Sequence, residues 1–264
     1  MRFWSLGTVL LALAACTTAP LTGRKQLILV PQQTMLSTSF TEYGEFLKQN
    51  PPVPPNDGSE TVKRVGTRIQ GAVERFFASK GMSQRLSGYR WEFQLVNNPQ
   101  VNAWCMPGGK VVVYGGIFPV AQGEAGLAVV MGHEIAHAVA NHGNERMSQG
   151  LLAQLGGAAL DTALEEKPDE TRQLWMTAFG AGAQYGVLLP FSRAQESEAD
   201  HLGLIFMAMA GYDPHEAPEF WKRMAVKAAG KAAPEFASTH PSDETRMRQI
   251  EQELPEAMTY YKKK

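Results

Sequence analysis

Apolar residues recur at intervals of three and four positions between residues 61 and 80, which is the spacing of one face of a helix. The members of this stripe are Val62, Val65, Ile69, Val73, Phe76 and Phe77. Gly81 follows closely and is of the residue type that most often ends a helix. The pattern predicts an amphipathic helix that buries one face against the rest of the fold.

Two shorter segments carry the pattern of strands. Residues 89–96 alternate, with Trp91, Phe93 and Leu95 on one face, and residues 110–114 are a lysine, three valines and a tyrosine. Asparagine, proline and glycine residues between the two segments favour turns. Two neighbouring β-prone segments predict a small antiparallel sheet.

The other periodic segments predict helices. They cover residues 124–141, with Gly143 as the terminating residue, and residues 192–210, 214–227 and 243–254. Residues 174–191 contain no charge, but three glycines, Gln184 and Pro190 favour a buried or groove-lining helix over a membrane span. The predicted fold class is α+β and mainly helical.

Residues 1–15 have the features of a signal peptide. One arginine precedes an apolar segment too short to span a membrane comfortably. The segment leads into the tetrapeptide LAAC, which resembles the lipobox of bacterial lipoproteins and predicts lipidation of Cys16; an ordinary cleaved signal is the alternative. Thr17 after the cysteine favours, by the same resemblance, the outer membrane. The predicted location is the cell envelope, lipid-anchored and facing the periplasm.

Composition allows one well-packed domain in the rest of the chain. Of 264 residues, 44% are hydrophobic and 19% are charged, and the net charge of -1 argues against nucleic acid as a partner. We predict a tether and lead-in over residues 16–60, one folded domain over residues 61–254 and a tail over residues 255–264. Besides Cys16 the chain has only Cys105, whose apolar surroundings favour a small buried residue over a nucleophile.

The strongest chemical signal is the sequence HEIAH at residues 133–137. Positions i and i+4 of a helix lie on one face, so His133 and His137 can bind the same Zn²⁺. Glu134 lies one step round the helix, where its carboxylate can hold a water at the metal and take its proton. Two hydrogen-bonded core histidines are the alternative, but they would leave the charge of Glu134 in an apolar helix without a purpose.

The third protein ligand of a catalytic zinc must come from elsewhere. The metzincin pattern fails, because Val139 and Gly143 stand where it has a glycine and a third histidine. His142 is rotated off the ligand face of the predicted helix, and we expect it to be exposed.

A second helix supplies carboxylates. Glu196 and Asp200 share one face of the helix that begins near residue 192, and Glu198 points roughly to the opposite side. We predict that Glu196 is the third ligand and that Asp200 accepts the free N–H of a zinc-bound histidine. The alternative is a solvated acidic helix start.

HExxH followed by Glu196-x-x-x-Asp200 resembles the gluzincin peptidases of family M48, which include the CAAX prenyl endopeptidase, the HtpX heat-shock protease and mitochondrial Oma-type proteases. Periplasmic lipoprotein and BepA-like members are the most similar in character. Three further elements support the resemblance over residues 61–254: Asn102-Ala103 before a Pro-Gly-Gly turn, Gly132 before the first histidine, and a late His240-Pro with Arg246 six residues on.

The resemblance implies a zincin-like metalloprotease domain with its sheet beside the HExxH helix and one Zn²⁺ per chain. It implies that residues 110–114 are an edge strand to which an extended substrate adds. The implied substrate-binding residues are Asn102, Ala103, Val111, Val112 and Val113. His240 and Arg246 are implied near the metal, where either supports the oxyanion; alternatively, His240 closes the zinc as a fourth ligand and holds the enzyme latent.

The implied function is a zinc metalloendopeptidase that hydrolyses internal peptide bonds of unfolded or misassembled envelope proteins in protein quality control. Its expected partners are those substrates and the membrane, through the lipid at Cys16. Two alternatives stay open at this point. One is a chaperone or assembly factor with a normally closed zinc site, and the other is a hydrolase of peptidoglycan or another non-protein bond.

Overall fold

The structure, a computed structural model, describes residues 16–163, 192–229, 236, 239–240 and 244–262. The expected signal peptide and the uncharged segment 174–191 lie outside these residues. Among the residues described, no helix is both long enough and apolar enough to cross a membrane.

The described elements match the predicted α+β, mainly helical class. The strands are β1 (Cys16–Thr18), β2 (Lys25–Leu27), β3 (Glu92–Val96), β4 (Ala103–Met106) and β5 (Lys110–Tyr114). The helices are α1 (Gln32–Gln49), α2 (Asp57–Ser79), α3 (Phe118–Ala121), α4 (Glu124–Val139), α5 (His142–Ala163), α6 (Arg193–Met209), α7 (Glu216–Ala228) and α8 (Glu244–Tyr260). Short 3₁₀ turns cover Ser83–Leu86 and Gly115–Ile117.

The small sheet beside the HExxH helix is mixed rather than antiparallel throughout. β5 lies in its middle, parallel to β3 and antiparallel to β4. The prediction that residues 110–114 form an edge strand is therefore wrong, because strands occupy both sides of β5. Val111, Val112 and Val113 are fully buried and have no backbone edge to offer to a substrate. Among the strands that the structure describes, the edge on this side of the sheet is β4, which the strand pattern did not reveal.

The predicted amphipathic helix is α2, and it starts four residues earlier than expected. Asn56 caps its first turn, because the Asn56 side chain accepts from the Ser59 backbone N–H while the Ser59 hydroxyl accepts from the Asn56 N–H. The apolar stripe packs on the sheet, and a Cβ at Gly66 would clash with the ring of Phe93. This contact fixes how closely the helix approaches β3.

The HExxH helix α4 crosses α6 at a contact between two glycines. A Cβ at Gly132 would lie 3.0 Å from the carbonyl oxygen of Gly203, and a Cβ at Gly203 would lie 3.0 Å from the backbone nitrogen of His133. Helices can approach this closely only where side chains are missing. The crossing brings the two helices that carry the predicted ligands into backbone contact.

The end of α4 differs from the prediction in a way that matters for the site. Asn141, with φ of 63°, is the left-handed residue that ends the turn, and α5 begins directly afterwards at His142. Gly143 is the second residue of that new helix instead of the terminator. The chain changes direction at Asn141, so helix periodicity cannot be extended from His137 to His142.

The residues predicted as a tether contain packed structure. β1 and β2 form an antiparallel hairpin with Cys16 opposite Leu27. Helix α1 lies on the sheet through Tyr43 and Phe46, which pack with the partly buried ring of Trp104. At the other end of the chain, α8 continues past residue 254 to Tyr260, whose ring meets Phe76 edge-on with centroids 5.9 Å apart.

Candidate metal centre

Helix α4 presents two imidazoles to one point. His133 and His137 are buried one turn apart on this helix, and their Nε2 atoms lie 3.0 Å from each other. The helix is buried on nearly all sides, so both side chains are held by packing as well as by hydrogen bonds. The predicted i, i+4 pair is thus brought together in the folded chain.

Glu196 reaches the same point from α6. Its Oε1 lies 3.3 Å from His137 Nε2 and its Oε2 lies 3.5 Å from His133 Nε2. Ser192 and Gln195 form a capping box that starts this helix, which places Glu196 in its first turn. The carboxylate is buried, so the alternative of a solvated acidic helix start does not describe it.

His240 completes the cluster from the segment before α8, where its backbone N–H donates to the carbonyl of Phe236 at 2.9 Å. Its Nδ1 lies 3.1 Å from His133 Nε2 and 2.9 Å from Glu196 Oε1. One ligand atom from each of His133, His137, Glu196 and His240 falls within 4.8 Å of the others. The structure therefore places the three predicted ligands together and adds His240 at the distance of a fourth.

This donor set fits a zinc ion. Three imidazole nitrogens and a carboxylate are ligands that Zn²⁺ prefers, in the number it takes. A single shared proton cannot satisfy three ring nitrogens and a carboxylate at these separations, whereas one cation can. At His133 burial lowers the pKa, but hydrogen bonds to Asp200 and Glu196 outweigh it and raise that pKa to about 9, so the surroundings of this ring favour positive charge.

Glu134 stands at the mouth of the cluster. It follows His133 in the sequence, it is buried, and burial raises the pKa of its carboxyl group. Its Oε1 has no hydrogen-bond partner among the residues that the structure describes, and lies 3.4 Å from His240 Nε2. A buried carboxylate oxygen without a partner is costly unless a bound group satisfies it.

A cleft of about 250 Å³ opens beside Glu134. It is lined by Asn102, Ala103, Trp104, Cys105, Pro107, Glu134, His137, Ala138, Gly143, Thr239 and His240. One wall is the free edge of β4, so Asn102 and Ala103 lie where the resemblance implied substrate contacts. Cys105, expected to be a small buried residue, lies in this wall. The residue as a whole is partly exposed, but its thiol is buried, which raises the pKa of the thiol well above its usual value.

His133 is supported from behind by a carboxylate and an arginine. Asp200 Oδ1 lies 2.9 Å from His133 Nδ1, the nitrogen that faces away from the cluster. Arg246 donates to Asp200 through Nε and Nη2 at 2.7 and 2.8 Å, and its Nη1 lies 2.8 Å from Glu196. The ring of Trp221 stacks on the guanidinium at 3.6 Å. Asp200 thus occupies the place in which a histidine-orienting carboxylate was predicted.

These contacts separate the two residues implied for the oxyanion. His240 lines the cleft with Glu134, while Arg246 is buried behind the ligands and does not line it. Arg246 instead holds the carboxylates of Asp200 and Glu196 in position. A direct role for Arg246 at the oxyanion stays a prediction.

The prediction that His142 is exposed is wrong. Its side chain is completely buried, and its Nδ1 lies 2.8 Å from His137 Nδ1. Glu198, expected to point away, is also buried and lies 3.0 Å from His142 Nε2. The sequence signal that could have revealed this is Asn141, because asparagine tolerates the left-handed backbone that ends a helix. His142 and Glu198 are functional candidates that sequence reasoning missed.

Comparisons with known proteins point to metalloendopeptidases. The family model described as peptidase family M48 matches residues 64–254. The chain is 40% identical over 195 residues to the mitochondrial metalloendopeptidase OMA1 of Schizosaccharomyces pombe, covering 72% of this chain and 53% of that protein. It is 30% identical over 262 residues to the Saccharomyces cerevisiae OMA1, covering 92% and 70%.

The chain is also 32% identical over 161 residues to the beta-barrel assembly-enhancing protease of Escherichia coli, covering 60% of this chain and 33% of that protein. It spans about half the length of the fission-yeast relative and 38% of the Arabidopsis thaliana OMA1.

The comparisons contradict the predicted location. Metalloendopeptidases named as mitochondrial, from fungi, a plant and vertebrates, match this chain at 28–40% identity. The bacterial assembly-enhancing protease matches a shorter part of the chain. The prediction of an outer-membrane lipoprotein facing the periplasm is wrong. The comparisons do not show a lipid anchor at Cys16, which rested on the LAAC tetrapeptide alone.

Proposed function

This chain belongs to peptidase family M48, and on that premise we propose that it is a zinc metalloendopeptidase that cleaves internal peptide bonds of unfolded or misassembled proteins. The observation that carries the proposal is the buried meeting point of His133, His137 and Glu196, with Glu134 beside it at the edge of a cleft.

The zinc would be held by His133, His137 and Glu196. When bound, it supplies Lewis acidity, which polarises the scissile carbonyl and makes the attacking water more acidic. Glu134 accepts the proton of that water and delivers it to the leaving amine, which a carboxylate with a raised pKa does well near neutral pH. His240 Nε2, 3.4 Å from Glu134 Oε1, is placed to donate to the oxyanion.

Substrate would bind as an added strand on β4. Among the described residues, β4 pairs with a strand only on the side of β5, and Ala103 to Cys105 line the cleft next to Glu134. Main-chain hydrogen bonds to a strand edge require an extended segment and are indifferent to alternate side chains. A chain that has not folded offers such a segment, which supports unfolded or misassembled proteins as substrates and quality control as the role.

Replacing Glu134 by glutamine tests the proposal. We expect Glu134→Gln to keep one zinc per chain and to lose about 10²–10⁴-fold in the digestion of casein, because the general base is gone while the ligands stay. Glu124→Gln, at the start of the same helix and partly exposed, is the matched control and should digest casein at the wild-type rate. A Glu134→Gln protein with full activity, or a zinc-loaded wild type that cleaves no peptide bond, would sink the proposal.

A second candidate function is a chaperone or assembly factor whose zinc site is closed by His240. The position of His240 Nδ1, within 3.1 Å of His133 and Glu196 atoms, favours this candidate. His240→Ala separates the two: casein digestion rises if His240 closes the site and falls if His240 serves the oxyanion. In a chaperone the Glu134→Gln variant would also keep its function in cells.

A further inference from the structure

A second hydrogen-bonded chain leads from the metal ligands to the N-terminal hairpin. His137 Nδ1 lies 2.8 Å from His142 Nδ1, and His142 Nε2 lies 3.0 Å from Glu198 Oε2. Glu198 accepts from the hydroxyl of Thr22 and from Nε of Arg24, both in the turn between β1 and β2. The chain thus runs from α4 through α5 and α6 to the hairpin, across four separate elements.

One arrangement of protons satisfies every group in this hydrogen-bonded chain. His137 Nε2 faces His133 and Glu196, so its lone pair is needed to bind the metal and the ring proton is on Nδ1. That proton is donated to His142 Nδ1, which must accept. The proton of a neutral His142 is then on Nε2 and is donated to the Glu198 carboxylate. Each group is satisfied with both imidazoles neutral, and His137 is fixed in the tautomer that a metal ligand requires.

Glu198, at the far end of these hydrogen bonds, depends on the hairpin for its cationic partner. The side chain of Glu198 is 4% exposed, and a carboxylate so deeply buried needs a cationic partner. Arg24 supplies it, and its two remaining nitrogens donate to both oxygens of Glu145 at 2.9 and 2.6 Å. Gln195 donates to the same carboxylate at 2.8 Å. Arg24 is therefore enclosed between two acidic residues of α5 and α6.

The hairpin and the residues after it are tied to the same end of the site by further bonds. The Gln26 side chain donates to the carbonyl of Ala140, at the end of the HExxH helix. The Leu29 N–H donates to Ser148, and the Asn144 side chain donates to the carbonyl of Val30. These bonds hold the start of α5, which carries His142, against the segment that carries Arg24.

We propose that the hairpin of residues 16–27 is a working part of the metal centre. Thr22 and Arg24 hold Glu198, Glu198 holds His142, and His142 orients His137 toward the zinc, so that all four act as positioning residues. The proposal rests on the zinc site of the proposed function. It extends that site to residues that lie before the stretch matched by the family model.

Zinc affinity, measured by competition with a chromogenic chelator, tests this directly. We expect His142→Leu to weaken zinc binding about 10–100-fold, the range seen when a partner of a metal-bound histidine is removed. His142→Gln should restore most of the affinity, because its amide can accept from His137 and donate to Glu198. Arg24→Met should weaken binding about tenfold. Arg64→Met, which removes an exposed arginine paired with Glu124, is the matched control and should bind zinc as the wild type does.

Two readouts distinguish positioning from general stability. The visible spectrum of the cobalt-substituted protein should shift in His142→Leu and Arg24→Met but not in Arg64→Met, because it reports the ligand geometry. The effect of Arg24→Met on zinc affinity should vanish in a His142→Leu background, because the hydrogen bonds that connect Arg24 to His137 are already interrupted there. If His142→Leu does not fold, His142→Gln against Arg24→Met carries the comparison.

Folded Arg24→Met and His142→Leu proteins with wild-type zinc affinity and cobalt spectra would overturn the proposal while leaving the protease intact. A wild type that binds one zinc but digests no casein would refute the protease while leaving the affinity comparison valid. The two failures are therefore distinguishable.

Discussion

The two histidines of the HExxH helix are supported in different ways. His133 meets a carboxylate directly: Asp200, itself held by Arg246, both from helices in the second half of the chain. His137 meets another imidazole, His142, and reaches the carboxylate of Glu198 only through it. We call these the direct arm (Asp200 and Arg246) and the relayed arm (His142, Glu198 and Arg24).

The difference shows in the electrostatics of two residues one turn apart. Both rings are buried, and burial alone lowers the pKa of an imidazole. In His133 the hydrogen bonds to Asp200 and Glu196 overcome burial and raise the pKa to about 9. In His137 burial prevails and lowers the pKa well below its usual value, because its other neighbours include His133 and His142. The two rings therefore differ in their charged neighbours: His133 lies between the carboxylates of Asp200 and Glu196, whereas His137 has the carboxylate of Glu196 and two imidazoles around it.

The largest effect is expected from breaking the direct arm at its end. Arg246→Leu leaves the buried carboxylate of Asp200 without its cation, which should lower the free energy of unfolding by about 3–5 kcal/mol. Urea denaturation of the zinc-loaded protein measures it. Arg248→Leu, an exposed arginine on the same helix, should change it by less than about 0.5 kcal/mol. Equal effects of the two substitutions would contradict the role of Arg246.

The two arms can be compared by neutralising one carboxylate in each. Asp200→Asn should weaken zinc binding about 10–100-fold, because Asp200 touches a ligand imidazole. Glu198→Gln should cost less, about tenfold or under, because an imidazole ring separates its charge from His137. Chelator competition on both variants gives the ratio. A larger loss in Glu198→Gln would reverse the order of the two arms.

The contact between Gly132 and Gly203 affects both arms, because it sets the distance between α4 and α6, the two helices that carry the ligands. Gly203→Ala puts a Cβ 3.0 Å from the backbone of His133, and we expect a net loss of about 1–2 kcal/mol after the gain in helix propensity. Gly44→Ala, in α1 with nothing within 4 Å of the new Cβ, should instead stabilise by about 0.5–1 kcal/mol. Chemical denaturation distinguishes them. A stabilising Gly203→Ala would show that the helices need no such close approach.

The smallest effect tests how far the charge of the direct arm extends. Burial and then the charge of Asp200 raise the pKa of Glu253, on α8, to about 7. The folded state therefore keeps a proton that the unfolded state loses between about pH 4.5 and 7, and stability falls as pH rises through that window. Glu253→Gln should raise Tm by no more than about 2–4 °C at pH 8 and leave it unchanged at pH 4. Equal Tm differences at the two pH values would refute the assignment.

Much of the architecture could be read from local pattern. The stripe from Val62 to Phe77 predicted α2, the valines of 110–114 predicted β5, and the periodic segment of residues 192–210 predicted α6. Spacing of four predicted that His133 and His137 share a face and that Glu196 and Asp200 share another. Helix periodicity and strand alternation are properties of a few consecutive residues, so the sequence of a segment is enough to reveal them.

The position of β5 in the sheet, the burial of His142 and the approach of Arg24 to Glu198 were decided only by the tertiary structure. A strand carries no local sign of whether it has one neighbour or two. The exposure of His142 followed from extending the periodicity of α4. The backbone turns at Asn141, so that periodicity does not reach His142. Arg24 and Glu198 are 174 residues apart, and their contact exists only because the hairpin, α5 and α6 pack together. The sequence by itself determined which side chains could bind a metal, whereas the packing of distant segments determined what holds those side chains in place.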